Sequence, residues 1–141
     1  MALRVALLSA GLAMALGVAA VGGLPFGDTP ARALANCDTA EAALDSVEQE
    51  FIRLLNEERA RNGVAALAVA ESLNRAAAWK SADQAAIGGL SHTDSLGRGP
   101  LERIRDCGNA ALYWGENVLV GMASAQAAFD LWKTSSGHYQ N

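Results

Sequence analysis

The chain has 141 residues, 51% of them hydrophobic, and its 11 Lys and Arg against 15 Asp and Glu leave a net charge of −4. The apolar share is uneven, with 23 apolar residues among the first 35 and 49 among the remaining 106. Those 106 residues carry a net charge of −5, too acidic for a nucleic-acid binder that relies on a basic patch and too apolar for a disordered chain. They have room for one domain.

The N-terminus has a short basic start with Arg4, an apolar run over 5–21, and Ala33-Leu34-Ala35, which fits a small-residue cleavage site. Residues 1–35 are therefore expected to be a secretory signal peptide. The alternative is an uncleaved anchor, because 5–26 is just long enough to span a bilayer. Gly17, Gly22, Gly23 and Pro25 weaken such a helix. Both readings predict export, and cleavage leaves no stable membrane span. In an oxidising compartment the only two cysteines, Cys37 and Cys107, are expected to form a disulfide. Neither belongs to a C-x-x-C pair, and two thiols alone cannot build a structural zinc site.

After a lead-in over 36–45, the spacing predicts a helix over 46–62. Ser46 is its expected N-cap, with Gln49 completing a capping box, and Gly63 stops it. Val47, Phe51, Leu54 and Leu55 share one face, and Glu57 and Arg61 are placed for an i,i+4 pair. An apolar connector over 64–70 leads to a second helix over 71–87, with Leu73, Ala76, Ala77 and Ile87 on or near its inner side and Gly88-Gly89 at its end. The 90–99 stretch is rich in turn residues, and Pro100 opens a short helix over 100–106. Residues 116–120 form the one strand candidate. Ser124 then caps a helix over 125–133 with Phe129 and Trp132 facing inward.

No phosphate-binding G-x-x-x-x-G-K, zinc-binding H-E-x-x-H, G-x-S-x-G nucleophile elbow or G-x-G-x-x-G fingerprint is present. The 94–98 stretch lacks the carboxylate alternation of an EF-hand. The only histidines, His92 and His138, lie in Ser/Gly-rich segments, and Glu116 lies between Gly115 and Asn117. Two imidazoles and a carboxylate suffice for a zinc ion with an open position, or for a His–Glu proton-transfer pair. Separations of 24 and 22 residues do not establish convergence, and two surface histidines with a capping glutamate is the competing reading. Glu57 and Glu58 read as a solvated helix face. Trp79, Trp114 and Trp132 read as core or groove packing, and Ser135 and Ser136 as a helix-end turn.

Four motifs in order carry a family resemblance: 55–63 (LNEERARNG), 91–94 (SHTD), Gly115-Glu116-Asn117, and 132–138 (WKTSSGH). The chain over 46–141 resembles the CAP superfamily of cysteine-rich secretory, antigen 5 and pathogenesis-related proteins, and is similar to its short bacterial members. The resemblance implies an α+β fold, an α-β-α sandwich. Here it is expected to be mostly helical, with the family's C-terminal strands missing after Asn141. It also implies a cleft with His92, Glu116 and His138, in which the two histidines of some members bind zinc or another divalent cation. A second cleft glutamate found in many members is Ser135 here, so chemistry needing two carboxylates is in doubt. Members bind sterols, other lipids or protein partners, and no uniform catalytic activity unites them. The resemblance thus implies a secreted binding module for a small lipid or sterol-like ligand, a cation or a protein partner, not a nucleic-acid binder. The alternatives are a zinc-assisted hydrolase using His92, His138 and Glu116, or an envelope interaction protein with a vestigial cleft.

Overall fold

The computed structural model describes Cys37, residues 43–110 and residues 112–141. The expected leader, 1–35, and all of the lead-in before Ala43 except Cys37 lie outside the described residues.

Helix α1 spans Ser46–Arg61. Its start lies one residue earlier than the Ser46/Gln49 pattern predicts. Asp45 is the N-cap: its Oδ1 accepts from Glu48 N at 2.8 Å, while Glu48 Oε2 accepts from Asp45 N at 2.8 Å. An ionised carboxylate is the stronger acceptor at a helix N-terminus, so Asp45 takes the role from the neighbouring hydroxyl. Helix α2, Glu71–Ile87, ends where Gly88 turns left-handed. Helix α3 is Pro100–Asp106, and α4 is Ala125–Lys133 with Ser124 Oγ accepting from Ala127 N at 3.2 Å. A helical turn, α5, covers Ser136–Tyr139, where only a loop was expected; Tyr139 N donates to Ser135 O at 2.9 Å.

The core falls into two apolar clusters. In the first, Phe51 and Leu54 of α1 meet Ala125, Ala128, Phe129 and Trp132 of α4, with Leu119 completing it. The Phe51 ring stands edge-on to Trp132 at 5.1 Å and to Phe129 at 6.1 Å. In the second, Leu73 and Ala76 of α2 pack on Ile104 of α3. The expected inward set is largely found, except that Ile87 is 48% exposed at the last position of α2. Cys37 and Cys107 are joined, with Cα atoms 5.4 Å apart, as expected.

The described chain is mostly helical. The 116–120 stretch is extended but belongs to no β-ladder among the described residues. An extended segment becomes a strand only when its backbone groups pair with a second one. Here Leu119 is drawn into the first cluster while Val120 stays 49% exposed. Between the two clusters lies a cavity of about 370 Å³ that both help to line.

Candidate functional site

Residues 90–99 are shaped by Asp94, whose side chain is fully enclosed. Its Oδ1 accepts from the backbone N–H groups of Leu96 at 2.9 Å and Arg98 at 2.8 Å, and Oδ2 accepts from Arg98 Nε at 2.9 Å. The turn closes through Gly97 N to Asp94 O at 3.0 Å, with Gly97 at φ +78°, a conformation that favours glycine. Arg98 lies over the Trp79 ring at 4.6 Å, so this tryptophan is a platform for the loop.

Helix α2 pins the same loop from below. Lys80 Nζ donates to Thr93 O at 3.0 Å and lies 3.3 Å from Asp83 Oδ2, and both side chains are almost wholly buried. Burial pushes the Asp83 carboxyl up, but hydrogen bonds from Ser95 and Lys80 outweigh it and leave the group below its ordinary range. The loop is thus held at both ends, and His92 projects from it half exposed.

His92 and Glu116 meet: Nδ1 lies 2.8 Å from Oε1. The other carboxylate oxygen accepts from Arg103 Nη2 at 2.5 Å. Arg103 is 2% exposed, and its Nη1 donates to the carbonyls of His92 and Arg98, each at 3.0 Å. On either side of Glu116 the backbone is crowded or clamped. A Cβ on Gly115 would meet the Asn141 side chain, with Oδ1 at 2.8 Å, so a larger residue there would push that amide aside. Asn117 Nδ2 donates to His138 O at 3.0 Å, and its Oδ1 accepts from Asn141 Nδ2 at 2.8 Å.

His138 has its own surroundings. It sits on α5, its ring tilted 6.4 Å from Trp132, in the wall of the large cavity. Glu116 lines a separate small cavity of about 20 Å³. Asn117, Leu73 and Ile104 border both, so the two regions adjoin. The structure brings His92 into contact with Glu116 and places His138 on the lining of the large cavity.

The large cavity is walled by Phe51, Leu55, Leu73, Ile104, Phe129 and Trp132, with Trp114 also on its lining. Polar groups gather near Glu58, whose side chain is 13% exposed. Lys133 Nζ lies 2.9 Å from Glu58 Oε1, Tyr139 Oη donates to the same oxygen at 3.0 Å, and Arg61 Nη1 donates to Oε2 at 2.7 Å. These donors, Lys133 foremost, hold the Glu58 carboxyl down to about 2. The solvated-face expectation holds for Glu57 and fails for Glu58. Glu58 lies four residues after Leu54 and seven after Phe51, on the stripe that faces α4, so its carboxylate meets the end of that helix.

Arg103, Lys80 and Asp83 were not singled out in the sequence. Their signal was position: Arg103 follows Pro100 by three and precedes Cys107 by four, and Lys80 continues the Leu73–Ala76 stripe of α2.

The helical scaffold, the disulfide and the loop carrying His92 opposite Glu116 together describe a domain of the cysteine-rich secretory protein type. The sequence profile of that family, CAP, matches residues 52–141, and the chain belongs to it. Among curated proteins it is similar to YkwD, an uncharacterised protein of Bacillus subtilis (strain 168), at 25% identity over 103 residues. The aligned region is 73% of this chain and 40% of YkwD, so the chain spans well under half the length of that relative. No solved structure matches.

The divalent cation implied by the resemblance would be held by His92 and His138, and each oxygen of Glu116 already has a partner, one an imidazole and the other a guanidinium. Among the described residues no group of three His, Cys, Asp or Glu is placed to hold a metal ion.

Proposed function

We propose that this chain is an exported binding module whose apolar cavity takes a small lipid or sterol-like ligand, without turnover. The observation that carries the reading is the cavity itself: about 370 Å³, walled by aliphatic and aromatic side chains, with Glu58, Lys133, Tyr139 and His138 as polar groups on the lining. An apolar body with a few convergent polar groups is the usual form of a small-molecule site. His138 contributes at the cavity wall, and the His92–Glu116 contact helps to hold the 115–117 segment that borders it. Export is supported by the disulfide and by the signal-like 1–35. No helix among the described residues is long and apolar enough to cross a membrane. The same reading places the extended 116–120 stretch in the sheet layer of an α-β-α sandwich.

Trp114 and Trp132 line the cavity and give the test its signal. Titration with a dansylated fatty acid, and separately with a fluorescent sterol, should give saturable energy transfer from tryptophan. Leu67→Trp fills the cavity from the connector and should weaken binding about tenfold or more. Absence of saturable transfer with both probes would remove the reading.

A further inference from the structure

Glu116 is 11% exposed and has no free oxygen, since His92 Nδ1 takes one and Arg103 Nη2 the other. Arg103 holds both partners of this contact. Through Nη1 it fixes the carbonyl of His92, the residue that presents the imidazole, and through Nη2 it fixes the carboxylate that receives it. Nη1 also lies 3.8 Å from the enclosed Asp94 Oδ2, and Arg98 O is a further acceptor. The planar fork of the guanidinium suits this divided role.

We propose that Arg103 is the built-in cation of the His92–Glu116 site: a positioning residue that aims Glu116 at His92 and excludes a divalent metal from the carboxylate. A dication on Glu116 would lie a few ångströms from a permanent positive charge that cannot withdraw from its buried seat. Binding would also break the Nδ1···Oε1 contact that defines the pair. Any cation taken up near His92 therefore binds without Glu116. Removing the guanidinium charge frees one carboxylate oxygen and opens the site to a metal. The inference is independent of the apolar cavity, which Arg103 does not line.

The test is isothermal titration of zinc chloride into the full chain. Glu116 can act on a cation near His92 only through the imidazole while Arg103 is present, so Glu116→Gln should cost less zinc affinity in wild type than in the Arg103→Met background, where the carboxylate is free to bind the metal. Arg103→Met should gain about tenfold or more in zinc affinity, and Arg103→Met/Glu116→Gln should lose that gain. Arg103→Lys keeps the charge and should stay at the wild-type level. A merely structural role for Arg103 would not give a gain that depends on Glu116. The aiming role has its own readout in long-range 1H–15N spectra of the His92 ring. Its neutral form should carry the proton on Nδ1 in wild type and revert to the Nε2–H tautomer in Glu116→Ala. A Glu116→Gln loss as large in wild type as in the Arg103→Met background overturns the proposal, as does a folded Arg103→Met with unchanged affinity. Should circular dichroism show Arg103→Met unfolded, the His92 ring spectra, which leave Arg103 untouched, decide it: an Nε2–H tautomer in wild type overturns the proposal.

Discussion

Removing the disulfide should cost this domain most of its stability. The Cys37–Cys107 bond closes a loop with a sequence separation of 70. In the chain-entropy account a loop of that length restricts the unfolded chain by ~4 kcal/mol. A domain of about a hundred residues has roughly 5–15 kcal/mol in total. This one has reason to be near the lower end, because four of the twelve buried apolar residues among those described are alanines: Ala76, Ala78, Ala125 and Ala128. The bond also anchors a side chain that packs, as Cys37 is 3% exposed and lies with Ala76, Trp79 and Arg98 around one small pocket. Urea unfolding of Cys37→Ala/Cys107→Ala, followed by tryptophan fluorescence, should show the loss against oxidised wild type. Wild type under reductant should match the variant. A loss below about 1 kcal/mol in both would refute the reasoning, and would mean that the unfolded chain is already as compact without the bond as with it.

Phe51→Ala should destabilise by about 3–5 kcal/mol in the same assay, since the ring is 4% exposed and meets Trp132 and Phe129 edge-on; a loss below about 1.5 kcal/mol would show that the adjoining cavity lets the site collapse. Glu58 sets a pH dependence. Its folded value of about 2 lies below the ordinary 4.5, so its contribution is fully present above pH 4.5 and is lost as pH falls through about 2. Thermal midpoints recorded from pH 6 to 2 should therefore fall more steeply in wild type than in Glu58→Gln, and parallel curves would show that the Lys133 and Tyr139 contacts do not persist in solution.

The helices were legible in the sequence because their apolar spacing and stop signals agree, as at Phe51, Leu54 and Gly63, or at Ser124, Phe129 and Trp132. The disulfide was legible from the pairing of two cysteines with an export signal. The strand candidate was not, because the 116–120 pattern specifies an extended backbone and says nothing of a partner to pair with. Of the site, the motif residues His92 and Glu116 do come together, while Asn117 holds the His138 backbone and the His138 ring lies 6.4 Å from Trp132. The charged residues that set this geometry escaped notice for a shared reason. Lys80 and Arg103 occupy inward positions of their helices, as does Glu58, expected on a solvated face, and a charge on an inward stripe is easily read as a break in the pattern when it marks a buried pair.

That pattern explains how an alanine-rich domain fixes a loop. The inner side of α2 offers Ala76, Ala78 and only one larger buried apolar side chain, Leu73. Small side chains make few dispersion contacts and give weak positional control. The 91–98 loop is therefore docked by Lys80 and Asp83 from α2 and by Arg103 from α3, through bonds of 3.0–3.2 Å to its backbone. Buried charges are tolerated only when paired and hydrogen-bonded, so each partner demands the other. Removing one leaves a stranded charge, a larger penalty than trimming a methyl group from the same interface. The position of His92 relative to Glu116 thus depends on charge pairing more than on core volume. Substitutions that shave the apolar clusters should weaken the fold while leaving this pair intact in the molecules that remain folded. Charge-neutral substitutions at Arg103 should disturb the pair first.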